Sequence, residues 1–355
     1  MNHDMRKIAM FAAVLVFAAS TAANAQSPAR MYKLGTFQDD GRTFAGLVLD
    51  DADVVIDLNR ADSAYPQTLR GLIEAWDDVL AAQLGDLAQA ARERRPADAL
   101  SLSEVETLPP LPDPGVLLMA ARNYVEHAEE MNNVGRTYGS NPVIDESVTV
   151  GLPAIWTREA DDKRPNPYLF PKLTSAITAN GDAIVLPPGR ARIDFECELV
   201  AVIGRTTQRV SVDEALNYVF GYTVMVDVSD RENRPDGRYG SDWLIGKSHD
   251  TFAPMGPFVV PAEFVGDPQD LDVRYTLNER VMQDSNSSLM IHTVRDLVSF
   301  ASHIATLHAG NLISSGTPGG VGEGRRPPVY LQDGDTSHCW IEHIGTLTNP
   351  VRASR

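Results

Sequence analysis

The stretch Asp194-Phe195-Glu196-Cys197-Glu198, which runs straight into Leu199-Val200-Ala201-Val202-Ile203 and stops at Gly204, limits what this chain can become more than any other. Its apolar, β-branched half has the pattern of a strand entering a core. Side chains alternate faces along a strand, so Glu196 and Glu198 project from the same side. Two like charges at the mouth of an apolar strand repel. Either one carboxyl stays protonated or a cation joins them. A hard divalent ion with oxygen ligands meets the second need. A solvated strand edge with two ordinary glutamates is the plainer alternative.

A third acid, Asp227, ends another β-rich run, Phe220-Gly221-Tyr222-Thr223-Val224-Met225-Val226. Three carboxylates leave an ion such as Mg²⁺ with open positions for a bidentate substrate. The order of motifs resembles the fumarylacetoacetate hydrolase family: Asp194 to Gly204, Gly221-Tyr222-Thr223 to Asp227, Gly246-Lys247-Ser248, then Ser315-Gly316-Thr317-Pro318. The likeness runs from about Leu117 to Val351. It implies that Glu196, Glu198 and Asp227 hold Mg²⁺, with Mn²⁺ or Ca²⁺ as alternatives.

At the start of the chain, Arg6 and Lys7 precede an apolar run, Ile8 to Ala19, and then Ala23-Asn24-Ala25, the pattern of a secretory signal peptide. The run is shorter than the ~20 residues that span a bilayer, so cleavage after Ala25 and export to the periplasm are expected, with no membrane association afterwards. The formal net charge is −17, with no basic stripe to track phosphates, which argues against a nucleic-acid partner. Two cysteines, Cys197 and Cys339, are too few for a disulfide scaffold. Cys197 should point to the strand face opposite the glutamates. Two buried free thiols are the expectation, and an oxidised pair is the alternative that export would permit.

Residues 31–58 cluster apolar side chains around Asp-Asp-Gly and Asp-Asp turns, which predicts a small antiparallel sheet. From Thr68 to Arg94 the apolar residues recur at helical spacing, and Gly85 as an interruption suggests two helices. Pro109-Pro110-Leu111-Pro112-Asp113-Pro114 forbids regular structure and marks the clearest boundary. The expected organisation is a signal peptide over 1–25, an N-terminal accessory domain over 26–112 that supports packing or dimerisation, and a catalytic domain over 113–355.

After a predicted strand at 116–120, His127 and Glu130 stand three apart and share a helical face. A histidine oriented by a carboxylate is the usual general base, although a surface histidine among acids is the commoner case. The family's Asn-Tyr-x-x-His-x-x-Glu pattern is matched by Asn123, Tyr124, His127 and Glu130. The resemblance implies that His127 and Glu130 activate water, that Lys247 offsets charge developing on the substrate, and that Tyr124 and Thr317 contact it. Near Arg234 many relatives carry a glutamine, so an arginine there points to an anionic substrate group or a different reaction. Residues 131–166 are polar and aperiodic, which reads as a loop over the site. Gln283 to Ser288 reads as a polar turn, and Thr293 with Asp296 as a capping box opening a helix through Leu307 that stops near Gly310. His303 and His308 on it suit packing or the surface better than a metal that prefers oxygen. The glycine loop Ser315 to Gly322 has backbone donors suited to a carboxylate.

The resemblance thus implies an α+β fold with a mixed, rolled β-sheet core and a small N-terminal domain, commonly assembled as a homodimer. The activity implied is Mg²⁺-assisted hydrolysis of a C–C bond in a 1,3-dicarbonyl oxo acid such as an acylpyruvate. Decarboxylation or tautomerisation of an oxo acid on the same site is the first alternative. A periplasmic oxo-acid binding protein without turnover is the second.

Overall fold

A computed structural model describes residues 27–133, 155–156, 162, 164–232 and 242–354. The expected signal peptide, most of the expected 131–166 loop and Arg234 lie outside the described residues.

The chain opens with β1 (Lys33–Asp39), β2 (Arg42–Leu49) and β3 (Val54–Asp57), the antiparallel sheet expected from its turns. Helices α1 (Leu58–Ala61), α2 (Leu69–Glu74) and α3 (Asp78–Glu93) follow, then β4 (Glu106–Leu108). Two helices do cover 69–93, but the break falls before Asp78 and not at Gly85. Asp77 caps α3 by accepting from the Leu80 N–H at 2.8 Å. Gly85 sits inside α3 because Arg30 lies across it: a Cβ there would meet Arg30 Nη2 at 2.9 Å.

The rest of the chain contributes β5 (Leu117–Ala120), α4 (Val125–Asn133), β6 (Leu169–Pro171), β7 (Ile177–Thr178), β8 (Ile184–Leu186), β9 (Ile193–Asp194), β10 (Cys197–Ile203), β11 (Val219–Val226) and β12 (Ser229–Asp230). After these come α5 (Trp243–Lys247), β13 (Ala253–Pro261), β14 (Asp272–Leu277), β15 (Arg280–Asn286), α6 (Val294–Ile304), β16 (Leu312–Ser314), β17 (Thr336–Ile341) and β18 (Gly345–Ala353). Gln283 belongs to β15 and is buried, so the expected polar turn begins only at Ser287. The capping box of Thr293 and Asp296 opens α6 as expected, yet the helix ends at Ile304. Leu307 exchanges backbone hydrogen bonds with Thr207 at 2.9 Å, which takes it out of the helix.

Among the described residues, eleven strands form one mixed sheet with the path β3-β2-β1-β13-β11-β10-β16-β5-β6, while β4 pairs with β1 and β7 with β13. Hydrogen bonding crosses the expected boundary, because β1 pairs with β13 through Leu34 and Val259. A second sheet runs β15-β14-β17-β18-β8, and β9 pairs with β12. β14 and β17 alternate buried and more exposed residues, the mark of one wet face, whereas β10 and β11 are buried throughout. The architecture is α+β with large mixed sheets.

One apolar core runs from Tyr32 and Leu34 through β10 and β11 to Leu347 and Val351. Cys197 on β10 and Cys339 on β17, 142 residues apart in sequence with Cα atoms 5.4 Å apart, form a disulfide that links the two sheets. The expectation of two free thiols is therefore corrected. Their sequence separation hid a contact that only the stacking of the sheets creates. No helix among the described residues is long and apolar enough to cross a membrane.

Candidate metal centre and proton-transfer pair

Glu196 precedes β10, Glu198 is its second residue, and Asp227 follows β11. Antiparallel pairing sets Cys197 opposite Val226, so the start of one strand meets the end of the other, and the Asp227 N–H donates to the Glu196 carbonyl at 2.8 Å. The three buried carboxylates thereby offer oxygens that all lie within 4.8 Å of one another. No other cluster of three or more His, Cys, Asp or Glu side chains forms among the described residues, so His303 and His308 join none.

Such a knot of buried negative charge needs counter-charge. Lys247, at the end of α5, has its Nζ 2.6 Å from Glu196 Oε2, 2.6 Å from Asp227 Oδ2 and 2.7 Å from Ser229 Oγ. Lys172, just after β6 and fully buried, donates to Asp227 Oδ1 at 2.5 Å and to the Val228 carbonyl at 3.1 Å. Arg231, just after β12, bridges Glu196 Oε1 at 2.5 Å and Asp194 Oδ2 at 2.9 Å. Burial opposes ionisation of Glu196, but Lys247, Arg231 and His127 outweigh it and hold this carboxyl well below the usual range. Glu198 goes the other way: burial first, then the neighbouring Asp227 and Glu196 charges, push it well above that range. Its carboxylate accepts a hydrogen bond from the Ser314 hydroxyl. Among the described residues three cations thus stand among four carboxylates, counting Asp194, and none of the three forms an ion pair with Glu198. Hard oxygen donors with one charge to spare fit a divalent ion of the Mg²⁺, Mn²⁺ or Ca²⁺ kind.

The expected pair lies at the edge of this cluster. α4 brings the buried His127 to within 3.5 Å of Glu130 Oε2 through Nδ1 and 3.8 Å of Glu196 Oε1 through Nε2. The Nδ1 contact is longer than a good hydrogen bond, and this nitrogen has no hydrogen-bond partner among the described residues. Glu130 accepts from the Gly320 N–H at 3.1 Å. Asn123 fastens the start of α4: its amide donates to the His292 and Ser315 carbonyls at 2.8 and 2.9 Å. Tyr124 is buried close by, and burial and the Glu198 charge drive its phenol pKa upward.

Thr317 lies beneath β10, donating to the Cys197 carbonyl at 3.0 Å and accepting from Gln283 Nε2 at 2.8 Å. The glycine loop does grip carboxylates, and they are the chain's own: Gly320 holds Glu130, while the Gly322 and Glu323 N–H groups hold Asp194 at 2.7 and 3.0 Å. Sequence reasoning assigned no role to Lys172, Arg231, Asp194 or Gln283. A lysine inside the apolar stretch from Leu169 to Leu173 was the only signal for the first.

The profile of the family described as "Fumarylacetoacetate (FAA) hydrolase C-terminal" matches residues 117–352. The mitochondrial oxaloacetate tautomerase fahd2 of Xenopus laevis is 33% identical over 328 residues, 92% of each chain. The 2,4-didehydro-3-deoxy-L-rhamnonate hydrolase of a Sphingomonas strain is 38% identical over 268 residues, covering 74% of this chain and 84% of its own. Among solved structures, maleylpyruvate hydrolase from Sphingobium sp. SYK-6, in complex with manganese(II) and pyruvate, superposes with a TM-score of 0.66 at 26% identity, covering 91% of this chain and all of its own. With the motifs, the fold and two thirds of the length in agreement, the chain belongs to the fumarylacetoacetate hydrolase family of enzymes.

Proposed function

We propose that this chain is a metal-dependent hydrolase that cleaves a C–C bond in a 1,3-dicarbonyl oxo acid of the acylpyruvate kind. The observation that carries the reading is the seat of His127, within 4 Å of both Glu130 and the metal-site carboxylate Glu196. The manganese and pyruvate named with the maleylpyruvate hydrolase support an oxo acid at such a site. Glu196, Glu198 and Asp227 would hold the divalent ion, which when bound stabilises negative charge on the substrate's oxygens.

His127 takes a proton from water as the water oxygen bonds to the acyl carbonyl carbon. Glu130 offsets the charge that the imidazole gains. The C–C bond then breaks, its electron pair stays on the pyruvate side as an enolate, and that carbon takes up a proton. The products are a carboxylic acid and pyruvate. Lys247 and Arg231 keep the Glu196 oxygens turned to the cluster, and burial keeps bulk water out.

A second reading is tautomerisation of oxaloacetate, favoured by the fahd2 relative matched over nine tenths of both chains. In it His127 moves a proton between carbon and oxygen, and water is no reactant. A panel of acylpyruvates and enol-oxaloacetate, assayed with Mg²⁺ and with chelator, separates the two. Pyruvate release from acylpyruvates that stops with chelator is the expected result. Rapid loss of the enol absorbance with every acylpyruvate intact would replace the hydrolase by a tautomerase.

A further inference from the structure

We propose that Gly324 is a positioning residue for the His127–Glu130 pair, its missing side chain being the space that Glu130 occupies. A Cβ built on Gly324 would lie 2.0 Å from Glu130 Cδ and 2.1 Å from its Cγ and Oε1. Non-bonded atoms do not approach so closely, so any side chain at this position excludes Glu130 from its seat. From another direction the Gly320 N–H donates to the same carboxylate, at 3.1 Å to Oε2 and 3.3 Å to Oε1. Between these two contacts the Glu130 carboxylate rests 3.5 Å from His127 Nδ1.

The obstruction at Gly324 differs in kind from that at its neighbour. At Gly322 a Cβ would meet the Val329 carbonyl oxygen at 1.7 Å, and main chain cannot step aside without loss of the local fold. At Gly324 the obstacle is the end of a flexible side chain, and Gly324 is not among the glycines with a left-handed φ. Alanine there is compatible with the backbone. The fold accepts it, and Glu130 moves. The kinetic consequence rests on the reading that this pair transfers a proton, whereas the displacement of Glu130 does not.

The test uses the full chain loaded with Mg²⁺ and whichever oxo acid the parent turns over. Gly324→Ala should keep the parent's unfolding temperature, Mg²⁺ affinity and KM while kcat falls on the order of 10²-fold, the scale of a misplaced group about an ångström off. In a Glu130→Ala background the same substitution should cost nothing further, since both changes remove one contact. A crystal structure of Gly324→Ala should show the Glu130 carboxylate away from the Gly320 N–H. Parental kcat with Glu130 in place overturns the inference, and so does an equal loss in the Glu130→Ala background. If the parent turns over no oxo acid, the functional reading fails instead. The crystal structure then decides alone: a displaced Glu130 upholds the positioning role, and an unmoved one ends it.

Discussion

The carboxylate trio and the His127–Glu130 pair meet at Glu196, yet they are held in opposite ways. Glu196, Glu198 and Asp227 sit on or beside β10 and β11, strands buried at every residue, and their oxygens are gripped by Lys172, Lys247, Arg231 and Ser314. The pair rides a nine-residue helix, its internal contact is 3.5 Å, and Glu130 has a backbone donor for its carboxylate in Gly320. Buried charges of one sign repel unless counter-charges are fixed around them, so the carboxylate end is held by several fixed partners. A proton-transfer group gains and loses charge in each cycle, and its contacts must change with it. On the proposed function, the site joins a rigid seat for an ion to an adjustable base.

Substitutions can break or sharpen this division. The largest effect is expected from Glu198→Ala, which should abolish both Mg²⁺ binding and activity while circular dichroism stays parental. Calorimetry that finds the parent's Mg²⁺ affinity in this variant would remove Glu198 from the metal site. His127→Ala should act on the other end alone, lowering kcat by roughly 10²- to 10⁴-fold with Mg²⁺ affinity retained. If Mg²⁺ affinity falls with it, the two ends are not separable.

Lys172→Met should show the price of an unbalanced cluster. Removing one partner of a buried ion pair costs about 3–5 kcal/mol, so urea unfolding in chelator should reveal a loss of that size. A loss below ~1 kcal/mol would mean that Asp227 does not need Lys172. The Cys197→Ala/Cys339→Ala protein tests the opposite face of β10. It should lose about 2–4 kcal/mol of stability, the usual worth of a disulfide, with Mg²⁺ affinity as in the parent. Weakened metal binding would instead make the bridge part of the seat. The smallest effect is expected from Arg274→Ala, whose ion pair with Asp284 is 3.0 Å long but largely exposed, and stability should change by less than about 1 kcal/mol.

Much of the trio was legible because it depends on short-range rules. A period of two aims Glu196 and Glu198 together, and the run ending at Asp227 reads as another strand. The i,i+3 spacing of His127 and Glu130 was equally local. The family's motif order joined the two groups. Where local reading failed, a long-range partner had intervened. Arg30 packs in the space over Gly85 inside α3, Thr207 takes the backbone of Leu307 beyond the end of α6, and Gln283 is drawn into β15 and under Thr317.

By itself the sequence determined one strand carrying Glu196 and Glu198, another ending at Asp227 and a helical turn shared by His127 and Glu130, because strand and helix periods are written in consecutive residues. Only the tertiary structure decided what neutralises those acids, what seats Glu130 and whether the cysteines join. Lys172 reaches Asp227 across 55 residues, Gly320 reaches Glu130 across 190, and Cys197 meets Cys339 across 142. Partners so far apart are chosen by the stacking of sheets around a shared core, and no local period carries that information.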